Sequence, residues 1–484
     1  YKFLTLNDFK RIKLIGKVKL MTVNNENSTP LSDPHLNDVL PVSPKLVEEI
    51  VCALDQLNKE QVDFLLRPLH SADIADVFEQ LNDNHRKLLT SLIGSRMEPN
   101  VLSELDDSTL DDVITEMDDK DVARAVSQME SDDAVHVLED MDENEQRKII
   151  DALPDKDRLI VKEGLSYPED SAGRLLQKNL VSVPGLWTVG AVIDYFLIEE
   201  NLPDEFYEVF IVDPMHHPIG TAALNKIVRS DRDKKISEIM EKEPTLVRVD
   251  TDQEEVAYLF RQYDLTSMGV VDDGGRLIGV ITFDDVVDVI EEEAEEDLML
   301  MSGIQETDIT ESVFVASKNR VTWLIVNLGT AILASMVIAM FDATINEMVA
   351  LAVLMPIVAS MGGNAGTQTM TVTVRAIATR ELTATNMKRI IFREFSIALL
   401  NGVIIAILIG GLSWVWFDNT LLGLVMGVAM IVNMIMAGLA GILIPITLDK
   451  VKIDPALASS IFVTTITDVI GFFAFLGLAS QVLI

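Results

Sequence analysis

The sequence predicts a multi-domain membrane protein: an α-helical superhelix, a repeated α+β pair, an acidic connecting helix and a five-helix transmembrane domain. Three observations carry that prediction. Apolar residues recur every twelve positions between residues 57 and 153, a 59-residue offset relates two α+β halves, and five long apolar segments follow Arg320. At 484 residues the chain is too long for one ordinary domain.

Charge and hydrophobicity are segregated. Hydrophobic residues make up 49% of the chain and charged residues 24%. The first 302 residues hold 65 acids against 30 bases, whereas from Gly303 onward there are 11 acids and 9 bases. So negative a half repels nucleic acid and anionic headgroups and attracts cations. The lone Cys52 excludes an internal disulfide framework, which suits a reducing compartment. The basic first twenty residues lack the long apolar core of a secretory signal. Met21 is expected to be the start, with residues 1–20 an upstream extension.

Residues 21–160 are expected to form the acidic helical domain. The twelve-residue ladder runs Leu57, Leu69, Leu81, Ile93, Leu105, Met117, Met129, Met141 and Leu153. Most rungs are followed by helix-starting chemistry, as in "DDSTLDDVITEM" and "DDKDVARAVSQM". Asp and Ser there cap orphan N–H groups, and the acids complement the helix dipole. One short helix and a turn cannot bury its own face, so neighbours must stack.

Residues 161–297 alternate strands and helices. "VFIVDPMHHPIGTAALNKIV" matches "GVVDDGGRLIGVITFDDVVDV", placing Asp213 over Asp272 and Gly220 over Gly279. A β-turn–β unit followed by a helix, occurring twice, resembles a tandem pair of cystathionine-β-synthase (CBS) domains, which are regulatory ligand sensors. "GVITFDD" also resembles the CBS nucleotide motif, in which a Thr and an Asp three residues later hold a ribose. By that resemblance Thr282 and Asp285 would bind ATP or another adenine nucleotide. The plainer explanation is a strand end followed by a helix N-cap.

Residues 319–484 hold the apolar segments, at 321–341, 346–374, 395–417, 420–448 and 455–482, each near or above the ~20 residues that cross a bilayer. The loop after the second holds Arg375, Arg380, Lys388, Arg389 and Arg393, and that after the fourth holds Lys450 and Lys452. The other two loops, "FDATINE" and "DNT", have no base. The positive-inside rule then places the N-terminal half in the cytosol and the C-terminus outside.

Asp468 is the one ionisable side chain near the middle of any span. A lone charge there costs about 2.5–3.5 kcal/mol on the lenient insertion scale and needs a proton, water or a cation. Ser460, Thr464, Asp468 and Gly471 form a polar, small-residue stripe opposite Phe462, Ile466, Ile470 and Phe473. In the second span, "PIVASMGGNAGTQTMT" carries a second stripe of Ser360, Asn364, Gln368 and Thr371. Pro356 and Gly362–Gly363 are expected to weaken that helix, as irregular backbone lining a cavity can. Gly362 and Gly366 also form a small-xxx-small pair, so packing explains the glycines about as well.

"P-x5-GGNAGTQ" and "DPALASSIFVTTITD", with the order of domains, resemble the MgtE family of magnesium channels over nearly the whole chain after Met21. The resemblance implies a homodimer whose two fifth spans line one pore in the plasma (inner) membrane. Asp468 would select the ion, with Asn364 close by and Ser460, Thr464 and Gln368 along the path. Family members can carry Asn where this chain has Ser460, which still offers an oxygen. Two carboxylates on a twofold axis suit a hydrated Mg²⁺, which keeps most of its waters.

The connecting region, residues 284–318, begins with "DDVVDVIEEEAEED", nine acids and no base. Like charges at i+3 and i+4 destabilise a helix, and acids near its C-terminus oppose its dipole. A cation is expected to screen them. Mg²⁺ bridging this helix to acids of the helical domain would hold the channel closed. Asp285, Asp288, Glu293, Glu296 and Asp297 are the candidates by family resemblance, with Asp284 and Glu292 beside them. Two other readings stay open: a membrane-tethered nucleotide sensor without a pore, and an ion-coupled carrier in which Asp468 titrates. No P-loop, nucleophile–base pair or transition-metal motif is present, so the chain is not expected to be an enzyme.

Overall fold

The computed structural model describes residues 42–139, 141–199, 202–203, 205–303 and 313–483. The expected extension at residues 1–20, and residues 304–312 of the connecting region, lie outside the described residues. The chain divides into two compact units, residues 1–105 and 106–484.

In the first unit, helices Pro44–Asp55, Lys59–Leu66, Ser71–Gln80 and Asp83–Ile93 surround Ile50, Leu54, Val62, Phe78 and Leu89, all fully buried. Ser43, Asn58 and Asn82 each accept a backbone N–H two or three residues into a helix, and such caps contribute about 1 kcal/mol each. In the second unit the helices resume at Asp107, Asp119, Ser131, Glu143 and Asp155. The starts thus keep the twelve-residue spacing, which a 3-10 turn at Gly94–Arg96 interrupts. Leu81, Ile93, Leu105 and Leu153 are buried, but Leu57 is exposed, so the ladder's first rung is not a core position.

The hairpins of the α+β halves repeat residue for residue. Strands β1 (Ser182–Pro184), β2 (Glu208–Val212), β3 (Pro218–Ala223) and β4 (Glu241–Lys242) form one sheet in that order. β5 (Leu246–Arg248), β6 (Ser267–Val271) and β7 (Leu277–Thr282) form the other. In each, the first pairing is parallel and the hairpin antiparallel, with its irregularity at the equivalent place, Ile211/Val212 and Val270/Val271. The hairpin turns share one chemistry. Asp213 accepts the N–H of Met215 and His217, and Asp272 accepts that of Arg276. His216 and Gly275 take the left-handed conformation at matching positions. Gly220 and Gly279 match because backbone crosses both: a Cβ would lie 2.5 Å from Glu241 O and 2.6 Å from Gln177 O.

β7 runs into the connecting helix, Phe283–Met301. Among the described residues, five helices are long and apolar enough to cross a membrane: Arg320–Ala339 within Val313–Ala339 (span 1), Ala350–Ala378 (span 2), Met387–Phe417 (span 3), Thr420–Lys450 (span 4) and Ser460–Val482 within Pro455–Val482 (span 5). Span 4 is the most enclosed, half of its apolar window buried against 6% for span 1. Span 2 is helical throughout, with Pro356 and Gly362–Gly363 inside it. Gly362 and Gly366 serve close packing, since a Cβ on Gly362 would sit 2.4 Å from Asn433 Nδ2, and one on Gly366 2.4 Å from Val463. One expectation is corrected. Span 3 begins eight residues before its apolar segment, so Lys388, Arg389 and Arg393 lie on its first turns rather than in a loop. A 31-residue helix is about 46 Å long, more than the hydrocarbon thickness, and the excess turns are polar.

Candidate functional site

Span 5 packs through Val463 and Thr467 onto Gly366 of span 2, and through Gly471 onto Asn433 of span 4. Thr464 lies 3.8 Å from the Cβ position of Gly363. Its hydroxyl donates to the carbonyl of Ser460 at 2.9 Å, which leaves the oxygen lone pairs free to accept. Ser460, Thr464 and Asp468 remain half-exposed along one face. Gly471 leaves the expected stripe: it is buried, and its Cβ position is 2.8 Å from Asn433 Nδ2. A step of three residues turns a helix by about 300°, enough to carry Gly471 onto the packed shoulder. Asp468 has no ion pair or side-chain hydrogen bond among the described residues.

Asn433 was not legible as a site residue. Fully buried, it donates to Val358 O at 2.8 Å, and its Oδ1 has no partner among the described residues. It locks spans 2, 4 and 5 together at the level of the glycines. Asn364 and Gln368 line a cavity of about 180 Å³ with Asn401 and Met434. Among the described residues neither amide is hydrogen-bonded to Asp468.

The connecting helix starts with a capping box. Thr282 Oγ1 donates to Asp285 Oδ2 at 2.7 Å, and the Thr282 N–H reaches the same oxygen at 3.4 Å. Gln177, held by paired backbone bonds to Val280, donates its amide to Asp285 at 3.1 Å and to Thr282 Oγ1 at 3.3 Å. Asp132, from helix Ser131–Glu139, is buried against this group, and its Oδ1 has no partner among the described residues. Burial pushes Asp285 up to about 7. Burial, then the Asp285 charge, pushes Asp132 well above the usual carboxylate range. Two carboxyls crowded this way share a proton or hold a cation. Their partnership was invisible in the sequence, because the two lie far apart in the chain.

Further along, Asp288 is raised by burial and Asp284, and Glu293 is pushed to about 7 by burial despite a 3.0 Å hydrogen bond from Gln253. Asp297 is raised by burial and by Asp454, the residue that caps span 5 by accepting the Ala456 N–H at 2.6 Å. Asp284, Glu292 and Glu296 sit on exposed positions of the helix. His136 faces this row and is raised to about 9, chiefly by its hydrogen bond to Glu139, with the charges of Glu139, Asp107 and Glu292 adding to it. Among the described residues no three His, Cys, Asp or Glu side chains converge as a metal cage. A divalent ion here would be held by one or two carboxylates and its own waters, the manner of Mg²⁺. Asp132 and Asp285, with one orphaned oxygen between them, fit that requirement best.

Family models match three parts of the chain: MgtE intracellular N domain at residues 69–170, CBS domain at 236–292 and divalent cation transporter at 355–478. The magnesium transporter MgtE of Thermus thermophilus is 32% identical over 448 residues, 91% of this chain and 99% of that protein. That of Enterococcus faecalis is 32% identical over 321 residues, 66% of this chain and 71% of that one. Among solved structures, the soluble part of a magnesium transporter is 25% identical with a TM-score of 0.46, covering 52% of this chain and 98% of its own. The cytosolic domain of the Mg²⁺ channel MgtE in complex with ATP is 28% identical with a TM-score of 0.41, covering 50% and 99%. With a relative aligned over nine-tenths of it, the chain belongs to the MgtE family of magnesium transporters.

Proposed function

We propose that the chain is a Mg²⁺-selective channel of the plasma (inner) membrane, acting as a homodimer and closed by cytosolic Mg²⁺. The observation that carries this reading is Asp468, a carboxylate within span 5 that no cationic side chain neutralises among the described residues. Two copies on a twofold axis would face each other across the pore. Hydrated Mg²⁺ then replaces the missing counter-charge, and Thr464 and Ser460 offer oxygens to its water shell. Asn364 and Gln368 would meet the pathway on the side away from the packed glycines. Basic residues at the ends of spans 2 to 5 support a cytosolic N-terminal half and an outside C-terminus.

Closure would work through the connecting helix. Mg²⁺ between Asp132 and Asp285, and along Asp288, Glu293 and Asp297, removes the repulsion that otherwise pushes the acidic elements apart. When Mg²⁺ is scarce the contacts open and span 5, capped by Asp454, is released. This is a two-state element biased by its ligand, giving negative feedback on uptake. Binding of an adenine nucleotide such as ATP at Thr282 and Asp285 would displace Gln177, so it would act on the same contact.

The test is Mg²⁺ flux through the purified chain in liposomes held without a proton or sodium gradient. The channel reading predicts passive flux that falls as Mg²⁺ on the side of the N-terminal domains rises through the millimolar range. Flux that appears only with a coupling gradient would make the protein a carrier instead.

A further inference from the structure

The acidity of the chain has a local exception between spans 2 and 3. Where spans 2 and 3 part, Arg375, Arg389 and Arg393 line a cavity of about 450 Å³ with Glu381, Asn386 and Glu394. Arg375 sits in the last turn of span 2, and Arg389 and Arg393 in the first two turns of span 3. Glu394 is buried, its Oε1 4.0 Å from Arg393, so one guanidinium is offset within the protein. The Asn386 amide is occupied in shaping the loop, accepting from Thr383 N at 2.8 Å and donating to Glu381 O at 2.7 Å. Arg375 and Arg389 have no ion pair among the described residues, in a chain with 76 acids to 39 bases. The positive-inside rule accounts for basic residues at this end of the spans, but not for their convergence on one cavity.

Exposed apolar surface continues from the cavity along both helices. Arg389 and Arg393 continue at helical spacing into Ile397 and Leu400, both exposed, and Val372 of span 2 adds an exposed apolar wall. Charge at the rim with apolar surface directly below matches a phospholipid, not a freely soluble ion. We propose that this cavity is a binding site for the phosphate of an anionic phospholipid headgroup. Arg375 and Arg389 hold the phosphate, and one acyl chain lies along Ile397 and Leu400. Guanidinium groups suit phosphate because two N–H donors reach two oxygens at once. The inference rests on the membrane assignment but not on ion passage.

The experiment measures association of spin-labelled phosphatidylglycerol, relative to spin-labelled phosphatidylcholine, with the full chain in phosphatidylcholine bilayers. The preference for the anionic lipid should fall at least about fivefold in Arg375→Gln/Arg389→Gln, since a basic residue near the surface is worth about that factor. Arg375→Lys/Arg389→Lys, which keeps the charge, should retain most of it. Lys450→Gln/Lys452→Gln, outside the cavity, should leave it unchanged. An unchanged preference in the glutamine pair, or an equal loss in the Lys450/Lys452 pair, overturns the site. Loss of the preference in excess glycerol 3-phosphate overturns the lipid assignment in favour of a soluble phosphate. Repeating the measurement in Asp468→Asn separates this result from the fate of the channel reading.

Discussion

Replacing Asp132 with Asn should fix the contact between the helical domain and the connecting helix in its held state. Asn imitates a protonated Asp132: it carries no charge and can still donate to Asp285. In the native chain, holding Asp285 at about 7 rather than 3.8 makes its ionisation there cost about 4 kcal/mol more than in water. The folded pKa is the raised one, so the stabilisation is complete below pH 3.8 and is lost as pH rises through about 7. Between pH 6 and 8 that loss amounts to about 1.4 kcal/mol, a factor of about ten in the opening equilibrium. Hydrogen exchange of the helix Ser131–Glu139, followed by mass spectrometry in chelator, reads that equilibrium directly. The native chain should exchange about tenfold faster in its opening term at pH 8 than at pH 6, after correction for intrinsic rates. Saturating Mg²⁺ should cancel the difference; at a hundred times its Kd a ligand restores about 2.7 kcal/mol. Asp132→Asn should lose the Mg²⁺ effect, whereas the pH effect that comes from the burial of Asp285 should persist. A native chain insensitive to pH in chelator, or an Asn variant that keeps the full Mg²⁺ response, would refute the shared-site reasoning.

Gly362→Ala should destabilise the membrane domain by about 1–3 kcal/mol through overpacking onto Asn433, seen as a lower melting temperature in detergent; an unchanged melt would show that the three helices are not in close contact there. Arg380 packs over the Tyr258 ring at 4.5 Å and pairs with Glu255 at 3.5 Å, tying the loop after span 2 to the second CBS-like half. Arg380→Ala should raise the Mg²⁺ concentration needed for closure by a few-fold, since a half-exposed contact of this kind is worth about 0.5–1 kcal/mol; no shift in the closure midpoint would remove the loop from the coupling. His136, raised to about 9, contributes stability that is complete below pH 6.5 and lost as pH rises through about 9. In His136→Gln the change in exchange of the connecting helix between pH 7 and 9 should shrink to the part that Asp285 and Glu293 contribute, and an undiminished change would place its origin elsewhere.

The repeated hairpin of the α+β halves was legible to the residue because its causes are local. An Asp that closes the hairpin turn, a left-handed position beside it and a glycine crossed by backbone recur at one offset in the sequence. The helix starts were legible for the same reason, through capping residues every twelve positions. The five spans follow from hydropathy, but the start of span 3 does not, because its first turns are polar and only the fold shows them to be helical. Asp285 was found by its motif, whereas Asp132 was not, since nothing near it in the chain marks it as a partner. Asn433 was hidden in an apolar run, and its use appears only when Gly362 and Gly471 arrive from two other helices. Packing and a weakened helix both accounted for the glycines of span 2 in the sequence, and only the close approach of Asn433 and Val463 shows what Gly362 and Gly366 pack against.

The central claim is that the carboxylate of Asp468 is the counter-charge for the transported ion. Mg²⁺ flux should be compared between the native chain and Asp468→Asn, reconstituted in the same liposomes at low Mg²⁺ on the side of the N-terminal domains. Asn keeps the size and removes the charge, so loss of flux with an unchanged melting temperature is the predicted result. Flux in Asp468→Asn equal to that of the native chain would contradict the account.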